Sequence, residues 1–188
     1  MRTAYIGMGG NLASPAGPPE TTLAAAALRL ESLGCVVSRS SLYSTEPVGY
    51  TEQPRFINAA VALETNLEPR ALLERLLAIE QEFGRDRTTG FANGPRTLDL
   101  DLLLFGNVSI SEPGLEIPHP RLAERTFVLV PLCEIAPRNL DAGRGKTVKQ
   151  LLHSLSKKPG SPIDAVVKIQ NDAWHAGSVR GVVLPRED

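Results

Sequence analysis

The stretch Gly94-Pro95-Arg96-Thr97-Leu98-Asp99-Leu100-Asp101-Leu102-Leu103-Leu104-Phe105 decides how the chain is read. Its leucines make an apolar run that marks an interior β-strand. In a strand residues i and i+2 share a face, so Asp99 and Asp101 stand side by side. A buried aspartate without a partner is rare and costly, and two neighbouring carboxylates repel one another. A hard divalent cation removes both problems, and Arg96 is placed to clamp an anionic oxygen on that cation. The pair therefore reads as a metal–phosphate site. The plainer reading puts both aspartates near a strand end, solvated or paired with Arg96. The flanks favour the first. Residues 84–94 form a polar, Gly-rich loop with Arg85 and Arg87, expected to be mobile until anions hold its arginines. Downstream come Pro118-His119-Pro120-Arg121, Arg125 and Phe127.

Before this strand, Leu72, Leu76, Ile79 and Phe83 recur at helical spacing, with Pro69 in the first turn and Gly84 at the end. Further upstream the pattern predicts a strand over 2–8, a Gly-rich turn and a helix over 19–33 closed by Gly34. Strands over 35–44 and 56–65 follow, separated by a loop with two prolines and Gly49. The order strand, helix, strand, strand, helix, strand is that of an α+β, ferredoxin-like βαββαβ core. Additional C-terminal elements are expected, with a short helix near 121–133 and another over 147–155. Residues 161–188 mix Gly, Pro and charge and read as a C-terminal extension, poorly ordered or loosely packed.

The chain has 188 residues, 42% hydrophobic and 22% charged, which suits one globular domain with its own core. A net charge of −1 supplies no broad basic field and argues against nucleic acid as a partner. No apolar segment is long enough to span a membrane, and the first residues do not read as a signal peptide, so a cytoplasmic protein is expected. Cys35 and Cys133 read as small buried hydrophobes without chemistry.

Two glycine motifs fail as nucleotide loops. Gly143-Arg144-Gly145-Lys146-Thr147 has leucine at position 140, where a P-loop needs glycine, and reads as a turn. Gly7-Met8-Gly9-Gly10-Asn11-Leu12 lacks the third glycine of a dinucleotide fingerprint and also reads as a tight turn. His119, held between two prolines, is by default a surface loop histidine. Glu80 borders the apolar side of its helix and is by default a surface glutamate. Phe56 and Asn58 share a strand face, an aromatic plate beside a planar amide. Such a pair is usually core, yet it also suits a flat heterocycle that needs stacking and edge recognition.

The segments GPRTLDLDLLLFGN and IPHPRLAERTFVLVPLCEIAP, with AYIGMGGNL, STEPVGYTEQPRFINAAVALET and AIEQEFGRDR, resemble the 6-hydroxymethyl-7,8-dihydropterin pyrophosphokinase family of folate biosynthesis. The resemblance covers all but about the last thirty residues and implies a pyrophosphokinase domain over 1–160. It implies transfer of pyrophosphate from the co-substrate ATP to the pterin hydroxymethyl group, releasing AMP. Asp99 and Asp101 would bind two Mg²⁺ ions, and Arg85 and Arg96 would stabilise the transferred group. Glu80, Arg87, Arg96, Leu102, His119 and Arg125 would bind ATP. Thr45, Val48, Phe56, Asn58 and Phe127 would form the pterin pocket. The protein is expected to be a monomer with only these small molecules as partners.

Some positions depart from the family. Ala92-Asn93 stands where several members have an Arg-Trp pair, in a loop about one residue longer, so the tryptophan that closes over the substrates there has no counterpart unless Phe91 substitutes. Pro120 stands for a tyrosine seen in some members, and Leu77 and Gly114 stand where others have polar nucleotide contacts. Rival readings are a non-catalytic binding module, which needs neither the carboxylate pair nor the loop arginines, and a two-metal nuclease or nucleotidyltransferase. An RNA-binding module is disfavoured by an aromatic content of 5%.

Overall fold

The computed structural model describes residues 1–86, 93–158, 162–172 and Trp174. In chain order the elements are β1 (Arg2–Gly10), α1 (Pro19–Leu30), β2 (Cys35–Arg39), β3 (Leu42–Thr45), β4 (Phe56–Thr65), α2 (Pro69–Glu82) and β5 (Asp99–Phe105). A hairpin of β6 (Ile110–Glu112) and β7 (Leu115–Ile117) comes next, then α3 (Thr126–Ile135). The chain continues through a hairpin of β8 (Leu140–Asp141) and β9 (Lys146–Thr147), α4 (Val148–Ser156) and β10 (Val167–Ile169).

The main sheet runs β10-β3-β4-β1-β5, with β2 also paired to β4, and every pair in it is antiparallel. This is the expected ferredoxin-like order, and it puts the carboxylate strand β5 at an edge. Helices α1 and α2 pack on one face through Leu23, Leu30, Leu72, Leu76 and Ile79. The other face is covered by α3 and α4 through Leu129, Leu132, Val148 and Leu151. Because both faces are covered, β4 is buried almost along its whole length and does not alternate apolar with polar residues, Asn58 being its one polar side chain before Glu64.

Three local expectations change. The strand expected over 35–44 breaks at Ser40-Ser41. There the Ser40 hydroxyl takes the place of a ladder carbonyl, accepting the Ala60 N–H at 2.9 Å, and the Ser41 N–H turns away to Glu134. The helix expected near 121–133 is two pieces, a 3₁₀ turn over Leu122–Glu124 and then α3, parted by Arg125 in an extended conformation. The run 7–10 is not a turn but the end of β1. Glycine is needed there because a Cβ on Gly10 would run into the Thr97 carbonyl and one on Gly9 would lie 2.9 Å from the Asn58 side-chain oxygen.

The C-terminal segment also departs from a loose extension where it is described. β10 pairs with β3 and covers what would be an open sheet edge. Trp174 is 1% exposed and its indole N–H donates to the Ser40 carbonyl at 2.6 Å, sealing the break in the strand. Cys35, expected to be buried, begins β2 at the sheet margin and is exposed; Cys133 is partly buried. Gly143 to Gly145 lie in the expected turn, which closes the β8–β9 hairpin with Gly145 at φ +61°, while Lys146 and Thr147 form β9. Among the described residues no helix is long and apolar enough to cross a membrane.

Candidate active site

The register of the sheet builds the floor of the site. Asn58 pairs with Gly9 and Gly9 with Asp99, while Ala60 pairs with Gly7 and Gly7 with Asp101. Partners in register lie on the same face, so Phe56 and Asn58 on β4 and the two aspartates on β5 look out from one side of the sheet. Only the backbones of Gly7 and Gly9 lie between them. The glycines keep that floor low, leaving a small gap lined by Gly7, Gly9, Asn58, Asp99, Asp101 and Arg125.

On the β4 side a cavity of about 250 Å³ opens, and all five residues expected to meet the pterin line it: Thr45, Val48, Phe56, Asn58 and Phe127. Asn58 donates to the Thr45 hydroxyl at 2.8 Å, which fixes the amide orientation and leaves its side-chain oxygen toward Gly9. Arg96 lies over the Phe56 ring at 4.6 Å and Arg125 over Phe127 at 5.7 Å, so each aromatic wall carries a cation. Glu46, Glu124 and Thr126 also line the cavity. Sequence reasoning missed them because they stand in loops and at a helix start, where no periodicity marks direction.

On the β5 side the carboxylates are bracketed by four basic groups. Arg85 approaches Asp99 at 3.7 Å and Arg96 at 3.1 Å; His119 lies 4.0 Å and Arg125 3.5 Å from Asp101. The break before α3 is what frees Arg125 to reach this far. Burial, and then the charge of Asp99, push the Asp101 carboxyl above the usual carboxylate range, against the pull of His119, Arg125 and Arg96. Burial likewise holds the His119 imidazole below its ordinary value, although Asp101 draws it up. His119 accepts the Arg121 N–H at its Nδ1, which turns Nε2 toward Asp101. Its own backbone N–H donates to the Leu103 carbonyl and ties the loop to β5.

Two hard carboxylates that repel each other are a fitting seat for a hard cation. Among the described residues no group of three His, Cys, Asp or Glu side chains is arranged to hold a metal. Water and phosphate oxygens would therefore have to complete the coordination.

Beside Asp101 a second, open cleft of about 450 Å³ is lined by Leu102, His119, Leu77, Gly114 and Pro120, among others. Leu100 donates its N–H away from β1, to the Glu80 carboxylate at 2.8 Å; by the alternation of an antiparallel ladder, Leu102 also directs its backbone groups off the free edge. Glu80 itself departs from the surface position expected. It is fully buried behind β5 and not among the residues lining the cleft, so it acts on the site by holding the strand. Arg87 and Phe91 lie outside the described residues. Asn11, also missed, accepts the Arg96 N–H at 2.8 Å and donates to Gln53 and the Pro54 carbonyl, joining the loop before β4 to the loop that carries Arg96.

A sequence profile of the 7,8-dihydro-6-hydroxymethylpterin-pyrophosphokinase (HPPK) family matches residues 5–137. The chain belongs to this family. Relatives named 2-amino-4-hydroxy-6-hydroxymethyldihydropteridine pyrophosphokinase include one from Synechocystis, 45% identical over 81% of this chain and 75% of its own length. Another, from Bacillus subtilis, is 47% identical over 70% of this chain and 77% of its own length. An HPPK-DHPS crystal structure from Plasmodium falciparum superposes with a TM-score of 0.66 at 15% identity, covering 83% of this chain and 44% of that longer one; it speaks for the fold alone. HPPK enzymes carry out pyrophosphoryl transfer from ATP to hydroxymethyldihydropterin in folate synthesis, and this is the chain's reaction.

Proposed function

We propose that the reaction takes place over the Gly7–Gly9 floor, with the pterin against Phe56 and Asn58 and the ATP triphosphate across Asp99 and Asp101. The observation that carries this reading is the register row Asn58–Gly9–Asp99, which sets a heterocycle-sized cavity and a carboxylate pair on one face. The pterin hydroxymethyl oxygen attacks the β-phosphorus of ATP; an O–P bond forms there as the bond from that phosphorus to the α-phosphate bridging oxygen breaks, and AMP departs. Such a transfer asks the protein for positioning and charge neutralisation more than for covalent chemistry.

Asp99 and Asp101 would hold Mg²⁺, and we infer two ions. Bound there, Mg²⁺ would lower the pKa of the attacking hydroxyl and neutralise phosphate charge. Arg85 and Arg96 are paired with Asp99 in the described state. With a cation on the carboxylates they would turn to the transferred pyrophosphoryl group, exchanging one anion for another. Arg125 and His119 would likewise leave Asp101 for the triphosphate, and Arg87 is assigned to it on sequence position alone. Thr45, Val48 and Phe127 complete the pterin walls. The nucleotide would lie along Leu102, with Glu80 acting through β5. We further infer a monomer working in the cytoplasm. Incubation with ATP and the hydroxymethyl pterin should yield AMP and the pterin diphosphate with Mg²⁺ present and none after chelation, with recovery on adding Mg²⁺ back. Undiminished turnover in excess chelator would end the metal assignment.

A further inference from the structure

The β8–β9 hairpin contains the Gly143–Thr147 motif that resembles a P-loop and is not one, and it lies beyond residue 137, where the family match ends. Its physical role is visible in Asp141. This carboxylate is fully buried, and Asp141 accepts twice from Arg144: Oδ1 from the backbone N–H at 2.9 Å and Oδ2 from Nη1 at 2.9 Å. A buried charge persists only when paired and hydrogen-bonded, so the contact locks the guanidinium in one direction. The remaining arm, Nη2, donates to the Pro120 carbonyl at 2.7 Å. A Cβ built on Gly143 would lie 3.7 Å from Pro118, so the turn also reaches the other proline beside His119.

We propose that Arg144, oriented by Asp141, is a positioning residue for the nucleotide end of the reaction, setting His119 through the Pro120 carbonyl. The segment it holds is short and bears His119, which faces the acid pair. His119 is pinned on one side by its N–H to Leu103, and its Nδ1 takes the Arg121 N–H. That last bond spans the Pro120 peptide. A free Pro120 carbonyl lets this peptide rotate, and the imidazole then loses the contact that turns Nε2 toward Asp101. The fork of a guanidinium can satisfy Asp141 and Pro120 together, whereas an ammonium has no such planar geometry.

The inference rests on the reading that His119 holds the triphosphate, so H119A is measured alongside. Binding of a non-hydrolysable ATP analogue with Mg²⁺ is followed by calorimetry for the wild type, R144A, R144K, H119A and the double variant. R144A is expected to weaken analogue binding about five- to tenfold, a typical size for coupling between neighbouring groups, with pterin binding unchanged. KM for ATP should rise more than kcat falls, and R144K should recover part of the loss. The double variant should bind no more weakly than H119A alone. A long-range ¹H–¹⁵N spectrum at pH 8 should show the single Nε2–H form of the His119 ring in the wild type and a mixture of forms in R144A. If H119A weakens binding and R144A does not, or if R144A adds its full factor on the H119A background, the positioning role is overturned. If H119A leaves analogue binding unchanged, the reading of His119 fails and the inference goes with it.

Discussion

Two carboxylates, one at each side of the same sheet, are shifted in opposite directions. Glu134 on α3 accepts the Ser41 N–H and hydroxyl, the Tyr43 hydroxyl and the Lys168 ammonium, all within 3.3 Å. Burial works against its charge, yet these donors outweigh it and hold its carboxyl below the usual range. Among the described residues the nearest basic groups to Asp101 on β5 are Arg125 at 3.5 Å and the His119 imidazole at 4.0 Å, a second carboxylate stands beside it, and its carboxyl is pushed up. Glu134 joins α3, β3 and β10 and is satisfied by the protein alone. Among the described residues Asp101 has no such set of donors. A carboxylate left in conflict by its own fold is a candidate seat for a ligand, and on the proposed function this separates the structural seam from the working site.

The sharpest break of this comparison is a crossed pair of substitutions. Asp99→Asn or Asp101→Asn should each lower turnover by about 10²-fold or more, the scale of losing one well-placed electrostatic group, while Tm stays near that of the wild type. Steady-state rates and thermal melts on the same samples decide it; near-normal rates in both would remove the metal seat. Glu134→Ala should do the reverse. By leaving several buried donors unpaired it should cost about 1–3 kcal/mol of stability, read as a lower denaturant midpoint with kcat preserved.

Asn58→Ala sharpens the comparison inside the site. The pocket amide is held by a neutral bond to Thr45, so its loss should weaken pterin binding by about 1–3 kcal/mol and spare the ATP analogue. Equal weakening of both ligands by calorimetry would mean that the two halves of the site are not separable.

The smallest effect is in the pH dependence of stability. Glu134 titrates lower when folded, so the unfolded chain binds its proton first; its contribution is present above the unfolded value near 4.3 and fades as pH falls. For Asp101 the sign is opposite. The folded state keeps a proton that the unfolded chain has released, so stability is lost as pH rises from about 3.9 through the raised folded value. Melts between pH 3 and 7 should therefore show E134Q and D101N bending the wild-type curve in opposite senses. The same sense in both would contradict the assignment of one seam and one site.

Much of the site was legible because strands alternate. The i, i+2 spacing of Asp99 with Asp101 and of Phe56 with Asn58 puts each pair on one face whatever surrounds it, and the structure sets both on the same face of the sheet. Glycine misled at 7–10, since locally it signals a turn, while here it permits the close approach of Asn58 and Thr97. The serines at 40–41 looked compatible with one continuous strand, because the bond that breaks it comes from Ala60, twenty residues away. Residues 161–188 looked loose because the partners of β10 and Trp174, Leu42 to Ser44 and the Ser40 carbonyl, lie in another part of the chain.

The sequence by itself determined the order of the core elements, the pairing of carboxylates on one strand face and the supply of basic groups around them, since these follow from backbone period and residue charge. Only the tertiary structure decided that Arg85 and Arg96 face Asp99 while His119 and Arg125 face Asp101, that Glu80 turns inward to Leu100, and that Arg144 reaches Pro120. Long flexible side chains have no period to announce their direction. It is set by which buried charge or open carbonyl the fold brings within reach.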